Sequence, residues 1–407
     1  MVSNADPKPR AGLSELVDAL NGEMKALIIC LSHSWGGLEQ VASADTLEIA
    51  HQGLDVRAMV LRDSPIHAQL KLHPEVKLEV LDYRPRDYFD FNLKKDLTRL
   101  CDPMHEGINV VHLHQTSLLG SVTPWLWNRP EVTVFASRHI MNNHDKRNFF
   151  HRMIYGRLDA LIVMSQTLRK NVLATHPLRE RQVKVVNLGL DFVRFDPAVV
   201  DAQRQRAEWG ADFETVVIGL VGRIDPAKGQ ATFIKAAAGL TKRLPEGKKL
   251  KFVIVGEETL GRSSNHLGEL QKMVKQFHLE EAVVFAGFQT NIPEIMSAFD
   301  IFVMPSRQEA FGLVAIEAMA MECPIVISSG GSAAEIIGQE EYGVLMRPDD
   351  AFDLQRQLRY MIDHPDTRKQ MGILGRKHVQ SNYDRNIRLR RTLEIYERAL
   401  RRRAYQH

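Results

Sequence analysis

The sequence predicts an α/β protein built as two tandem Rossmann-like, doubly wound domains facing across a cleft. Three observations predict it. Short β-branched runs alternate with amphipathic helical stretches, which is the pattern of parallel βαβ units. The alternation breaks near residue 190 in a polar, mixed segment and then begins again. Several of the runs are apolar at every position, as strands covered by helices on both faces must be.

In the first half the strand candidates are KALIICLS, DVRAMVL, VKLEVLD, INVVHLH, VTVFAS, ALIVMS and VKVVNLG. The segment NLGLDFVRFDPAVVDAQRQRAEWGADFE reads as the connection. The second half supplies VVIGLVG, KFVIVG, AVVFAGF, IFVMPS, PIVISS and GVLM. Domain limits are expected at 1–197 and 198–380, with a terminal helix over 381–407. In that basic segment Ile387, Leu389, Leu393, Ile395, Tyr396 and Leu400 form an apolar stripe to pack on the body.

Composition narrows the function. At 407 residues, 44% hydrophobic and 25% charged, the chain reads as a soluble globular protein. A net charge of +3 is too small to argue for a nucleic-acid binder. Three scattered cysteines make neither a disulfide framework nor a metal-ligand spacing. The N-terminus lacks a signal-peptide layout, and no run of about 18 apolar residues occurs. The expected location is the cytoplasm.

Ligands of doubly wound sheets sit at the carboxyl ends of the strands, so candidate chemistry is sought there. RQEAFGLVAIEAMAMECP places Glu309 in a loop after a strand and Glu317 within a helix expected over Phe311–Met321. The free N–H groups of that helix's first turn, at Phe311, Gly312 and Leu313, suit an anion. Two carboxylates about 12 Å apart along a helix do not favour the close pair of a retaining hydrolase. They suit hydroxyls at two parts of one elongated ligand. In VGRIDPAKG, Arg223 and Lys228 flank a turn and could hold a diphosphate. No G-x-G-x-x-G fingerprint accompanies them. In LSHSWGGLEQ, Gly36 and Gly37 make a tight turn that lets a ligand approach the backbone. Arg138 and His139 end a strand, where a histidine could orient or protonate a hydroxyl near neutral pH. His112 and His114 share one strand face and read as structural. Residues 144–157 interleave basic and aromatic side chains on an expected helix, a face that could meet an anionic membrane or acceptor.

Taken together these pieces resemble the retaining family 4 glycosyltransferases of GT-B architecture over nearly the whole chain. EAFGLVAIEAMA is similar to that family's E-x7-E signature, and VGRIDPAKG to its phosphate motif. NLGLDFVRFDP looks like its interdomain segment, with Leu188 as a departure, and FAGFQTNIPEIMSAFDIFVMPS like its base-binding loop. The resemblance implies a nucleotide-diphosphate sugar held mainly by the C-terminal domain and an acceptor served by the N-terminal one. Arg223 and Lys228 would grip the diphosphate, Glu317 the ribose and Glu309 the donor sugar. The amides of Phe311, Gly312 and Leu313 would assist, Gly287 and Phe288 would lie near the base, and Gly36 and Gly37 would close over the phosphates. His139 matches the family's cleft histidine. The terminal helix would cross back to the N-terminal domain.

Transfer with retention, no cofactor and no metal are further implications. The acceptor would be a saccharide or glycolipid of envelope lipopolysaccharide, glycolipid or polysaccharide synthesis, with a peripheral membrane contact. Rival readings are a sugar-nucleotide epimerase or another enzyme on this scaffold, and a non-catalytic two-domain binding protein. An epimerase needs no acceptor, and a binding protein turns nothing over.

Overall fold

The computed structural model describes residues 12–86, 88–142, 144–242, 248–258 and 265–405. All thirteen runs named above form strands. In the first half these are β1 (Lys25–Cys30), β2 (Asp55–Leu61), β3 (Lys77–Leu81), β4 (Val110–Leu113), β5 (Thr133–Arg138), β6 (Ala160–Val163) and β7 (Val183–Val185). They pair in parallel in the order β3-β2-β1-β4-β5-β6-β7. The second half has β8 (Thr215–Val221), β9 (Lys249–Val255), β10 (Val283–Gly287), β11 (Ile301–Met304), β12 (Ile325–Ser328) and β13 (Val344–Met346), ordered β10-β9-β8-β11-β12-β13. In each sheet the order reverses beside its first strand, the topological switch point where loops splay apart and ligands bind.

The chain divides into two compact units, 1–188 with 386–407 and 189–385. The sequence reading had set the first limit at 197/198. The segment between adds a bridge from Leu190 to Asp384 and a hydrogen bond from Arg376 to the Phe195 carbonyl, both inside the second unit. The terminal helix Arg385–Ala404 lays Leu389, Leu393, Tyr396 and Ala399 into the first unit's core against Ala26, Ile28 and Phe135. That core therefore joins residues from both ends of the chain, and burying each large side chain contributes about 1.5–3 kcal/mol.

A second tie holds this helix. Arg388 donates from Nε and Nη2 to the two carboxylate oxygens of Asp45, at 2.7 and 2.6 Å. Burial opposes its charge, but Asp45 more than offsets this and the guanidinium's pKa is raised. His112 joins the same interior, with Nδ1 2.6 Å from the Tyr396 hydroxyl and Nε2 2.8 Å from Ser137 Oγ. Among the described residues, no helix is long and apolar enough to cross a membrane.

Candidate functional site

In the second unit the carboxyl ends of β8, β9 and β10 are stitched together by their backbones. Gly222 N–H donates to the Val255 carbonyl, Ile224 to Glu257 and Gly256 to Gly287, at 2.8–2.9 Å. A Cβ on Gly256 would stand 2.1 Å from the Gly222 carbonyl oxygen, so only glycine allows this approach. Arg223 emerges here, half-exposed, with Nη2 3.3 Å from Asp225. Gly287 sits at a bulge in β10, and the exposed Phe288 donates its N–H to Glu257 Oε1 at 3.3 Å.

The turn carrying Lys228 is pressed against the loop after β11. Gly229 has φ of 77°, and a Cβ there would meet the Pro305 carbonyl oxygen at 2.4 Å. The Arg307 N–H closes the contact by donating to the Ala227 carbonyl at 2.9 Å. As a result Lys228 Nζ lies 2.7 Å from Glu309 Oε2, although 81 residues separate them. The two residues expected to hold different parts of a ligand thus neutralise each other. An arriving anion would find Lys228 already oriented, and its release would free Glu309 for a hydroxyl.

Glu309 itself is not helical. It bridges to Gly331, and its carbonyl accepts from Ser332 N–H at 2.9 Å and Ser332 Oγ at 3.1 Å. The loop Gly330–Gly331–Ser332 after β12 is therefore a supporting element that sequence reasoning missed. Its signal was present in the SSGGS run that follows a buried strand. A Cβ on Gly331, which has φ of 79°, would fall 2.2 Å from the Glu309 carbonyl oxygen.

The helix expected from Phe311 begins instead at Leu313 and runs to Ala320. Gly312, with φ of 96°, precedes it in a left-handed conformation that helical periodicity cannot reveal. Phe311 is thus outside the first turn, buried edge-on to Tyr383 at 5.9 Å between ring centroids. Glu317 is the fifth residue of the helix, partly buried, and its carboxylate has no hydrogen-bond partner among the described residues. Burial pushes its carboxyl up to about 7, and Arg194, contributed by the interdomain segment, draws it part of the way back.

In the first unit, Gly36 precedes helix Gly37–His51, and its N–H donates to the Glu39 carboxylate at 2.9 Å. His139 follows β5 and stacks on His114 with ring centroids 5.6 Å apart. Burial, reinforced by the Arg388 charge, lowers its pKa to about 3. This corrects the expectation of a proton donor near neutral pH: His139 is neutral there and can only give or take a hydrogen bond. The helix expected over 144–157 is likewise shorter, Phe149–Gly156, because the Asn148 side chain caps it by accepting from His151 N–H. Among the described residues, one trio of ligand-type side chains, His51, His73 and Glu75, has its ligand atoms within 4.8 Å of one another, and it includes none of the candidate residues.

A family model described as Glycosyltransferase Family 4 matches residues 35–194, and one described as Glycosyl transferases group 1 matches 201–378. The mannosylfructose-phosphate synthase of Agrobacterium fabrum is 29% identical over 258 residues, covering 62% of this chain but only 55% of that protein. The D-inositol 3-phosphate glycosyltransferase of Corynebacterium kroppenstedtii is 26% identical over 317 residues, 74% of this chain and 69% of that one. Among solved structures, a glycosyltransferase from Rickettsia africae superposes with a TM-score of 0.82 at 17% identity, covering 93% of this chain and 98% of its own. Anabaena Alr3699/HepE in complex with UDP and glucose gives 0.78 at 19% identity, covering 92% and 99%. This chain belongs to the family 4, group 1 glycosyltransferases, and its two Rossmann-like units are those of the GT-B architecture.

Proposed function

We propose that the chain moves a glycosyl group from a nucleotide-diphosphate sugar to an acceptor hydroxyl, retaining the anomeric configuration and using no metal ion. The observation that carries this reading is the meeting of Lys228 and Glu309, with Glu317 left unpartnered on the adjoining helix. Lys228 and Arg223 take the diphosphate and offset the charge that grows on it as the glycosyl bond breaks. The N–H groups at the start of helix Leu313–Ala320 add fixed partial positive charge. Glu317 accepts from ribose hydroxyls and Glu309, released by Lys228, from the donor sugar. Gly287 and Phe288 border the base, and Gly36, Gly37 and the neutral His139 serve the transfer from the first unit. The acceptor hydroxyl attacks on the face that the diphosphate leaves.

The acceptor in this reading is an envelope-type saccharide or glycolipid met at the inner face of a membrane. An aromatic patch of the first unit supports it. Phe91, 71% exposed, is in ring contact with Trp125, which continues through Phe89 to Phe150 and Tyr88; Phe149, next in sequence to Phe150, is 84% exposed. Lys94 stands 4.8 Å over the Trp125 ring. Aromatic rings with a basic rim suit an anionic interface.

A thermal-shift panel of nucleotide sugars, followed by transfer assays on saccharide and lipid acceptors, tests the reaction. Stabilisation by one nucleotide sugar and a glycosylated product are expected; a panel with no shift and no product would refute it. Flotation with anionic vesicles at low salt tests the membrane contact, and equal recovery of a Phe91→Ser/Phe149→Ser variant would count against the patch.

A further inference from the structure

Between the terminal helix and the start of β5, β6 and β7, the first unit holds a cavity of about 920 Å³. Its wall includes residues 157–160 leading into β6, residues 181–184 at the start of β7 (Val183 excepted), and one face of the helix from Ile395 to Arg403. These strands run parallel, so this is the edge of the sheet opposite Gly36 and His139, which lie beyond the carboxyl ends of β1 and β5. The cavity therefore stands apart from every candidate residue of the transfer site.

Among the described residues, seven cationic side chains line it against one carboxylate, that of Asp159, so its charge is far from balanced. That carboxylate is already divided. Arg403 Nη2 lies 3.1 and 2.9 Å from its two oxygens, Arg402 Nη2 2.9 Å from Oδ1, and Arg157 Nη1 3.5 Å from Oδ2. Arg157 also donates to the carbonyls of Leu126, Arg129 and Val132, and Arg403 to that of Pro130, so these two are fixed parts of the wall. Arg402 and Lys184 are less committed. The Arg402 side chain is 55% exposed and shares Asp159 with the others. The Lys184 ammonium has no carboxylate partner among the described residues; burial lowers its pKa, and the charges of Arg398, Arg169 and Arg402 lower it further. Arg398 reaches Glu394 at 3.3 Å, but Arg390 draws on the same carboxylate. A concave wall of one sign focuses its field on whatever enters and favours an anion there.

We propose that this cavity is a binding site for an oligophosphate, a small molecule carrying two or more linked phosphate groups. Phosphate oxygens accept charge-assisted bonds from Lys184, Arg398 and Arg402, which line the one cavity and are the cations least served by carboxylates. Linked phosphates suit cations supplied by two separate elements better than a single phosphate does. The volume is that of a small-molecule pocket. Trp127, half-exposed on the same wall, and Ile395 offer an apolar face to a nucleobase. Bound there, the ligand ties the terminal helix to the start of β7. The proposal does not depend on the glycosyl-transfer reading.

The test is calorimetric titration of the full chain with tripolyphosphate at constant ionic strength. An Arg223→Met/Lys228→Met background removes the candidate donor-side cations. Saturable binding is expected, weakened at least tenfold by Lys184→Met and by Arg402→Gln. A second variant works in the opposite direction. Asp159→Asn removes the competing carboxylate, so without ligand it should melt below its parent, and saturating tripolyphosphate should raise its melting temperature by more than it raises the parent's. A purely structural arginine cluster would show no such gain. No saturable binding, equal binding by Lys184→Met and Arg402→Gln, or an Asp159→Asn shift no larger than the parent's overturns the proposal. Repeating the titration with nucleoside triphosphates separates the sources. Tighter binding that is lost in Trp127→Ala identifies a nucleotide, and equal binding identifies the bare oligophosphate.

Discussion

Arg388 and Arg138 are buried to nearly the same degree, 7% and 6% exposed, in the same unit. The fold treats them oppositely. Arg388 meets both oxygens of Asp45 and also donates to the carbonyls of Val186 and Asn187. Arg138 has one hydroxyl. The second unit repeats the contrast with carboxylates: that of Glu309 is matched by Lys228, whereas that of Glu317 has no hydrogen-bond partner among the described residues and a raised pKa. Burial alone does not tell these groups apart. The number of partners does, because a satisfied ion pair holds elements together while a buried charge without one keeps its desolvation cost.

The sharpest way to break this contrast is to remove Asp45. Asp45→Ala should cost about 3–5 kcal/mol in urea unfolding, since it leaves a buried guanidinium unpaired. A loss no larger than that of Arg138→Met would erase the distinction. Next in size is Glu309→Ala, expected to slow turnover roughly 100-fold, as loss of one transition-state contact does, with little change in donor affinity. Glu317→Ala should weaken donor binding about tenfold, an effect on the order of one lost charged hydrogen bond.

Glu317 also gives a pH signature. Its folded pKa is raised from 4.5 to about 7, so the stability of the protonated form is fully present below pH 4.5 and is lost as pH rises towards 7 and above. Glu317→Gln, neutral throughout, should therefore melt a few degrees above the wild type at pH 8 and level with it below pH 4.5. Parallel melting curves across that window would show that the carboxyl is not raised. The smallest effect is expected at Glu39, whose carboxylate holds the Gly36 N–H. Glu39→Ala should cost about 1 kcal/mol in urea unfolding.

Legibility followed the range of the interaction. The thirteen strands were readable because a buried parallel strand writes itself as a contiguous apolar run. The E-x7-E spacing and the Arg223–Lys228 turn were readable as motifs. The start of helix Leu313–Ala320 was not, since Gly312 takes a left-handed backbone, and a Cβ there would also meet Met304 Cε at 2.9 Å. The ionisation of His139 was misread for a related reason: its strand-end position is local, but its burial is tertiary and the Arg388 charge comes from a helix some 250 residues away. Leu188, which departs from the family's interdomain pattern, is itself buried, consistent with its place at the end of the first unit.

The sequence by itself determined the α/β class, the strand inventory and the residue types offered at the strand ends, because those depend on hydrophobic period and turn chemistry within a few positions. Tertiary structure alone decided that Lys228 meets Glu309, that Gly331 and Ser332 brace the loop between them, and that Arg138 is left without a counter-charge. Those outcomes depend on the approach of segments tens to hundreds of residues apart, where packing and desolvation set which charges find a partner and which do not.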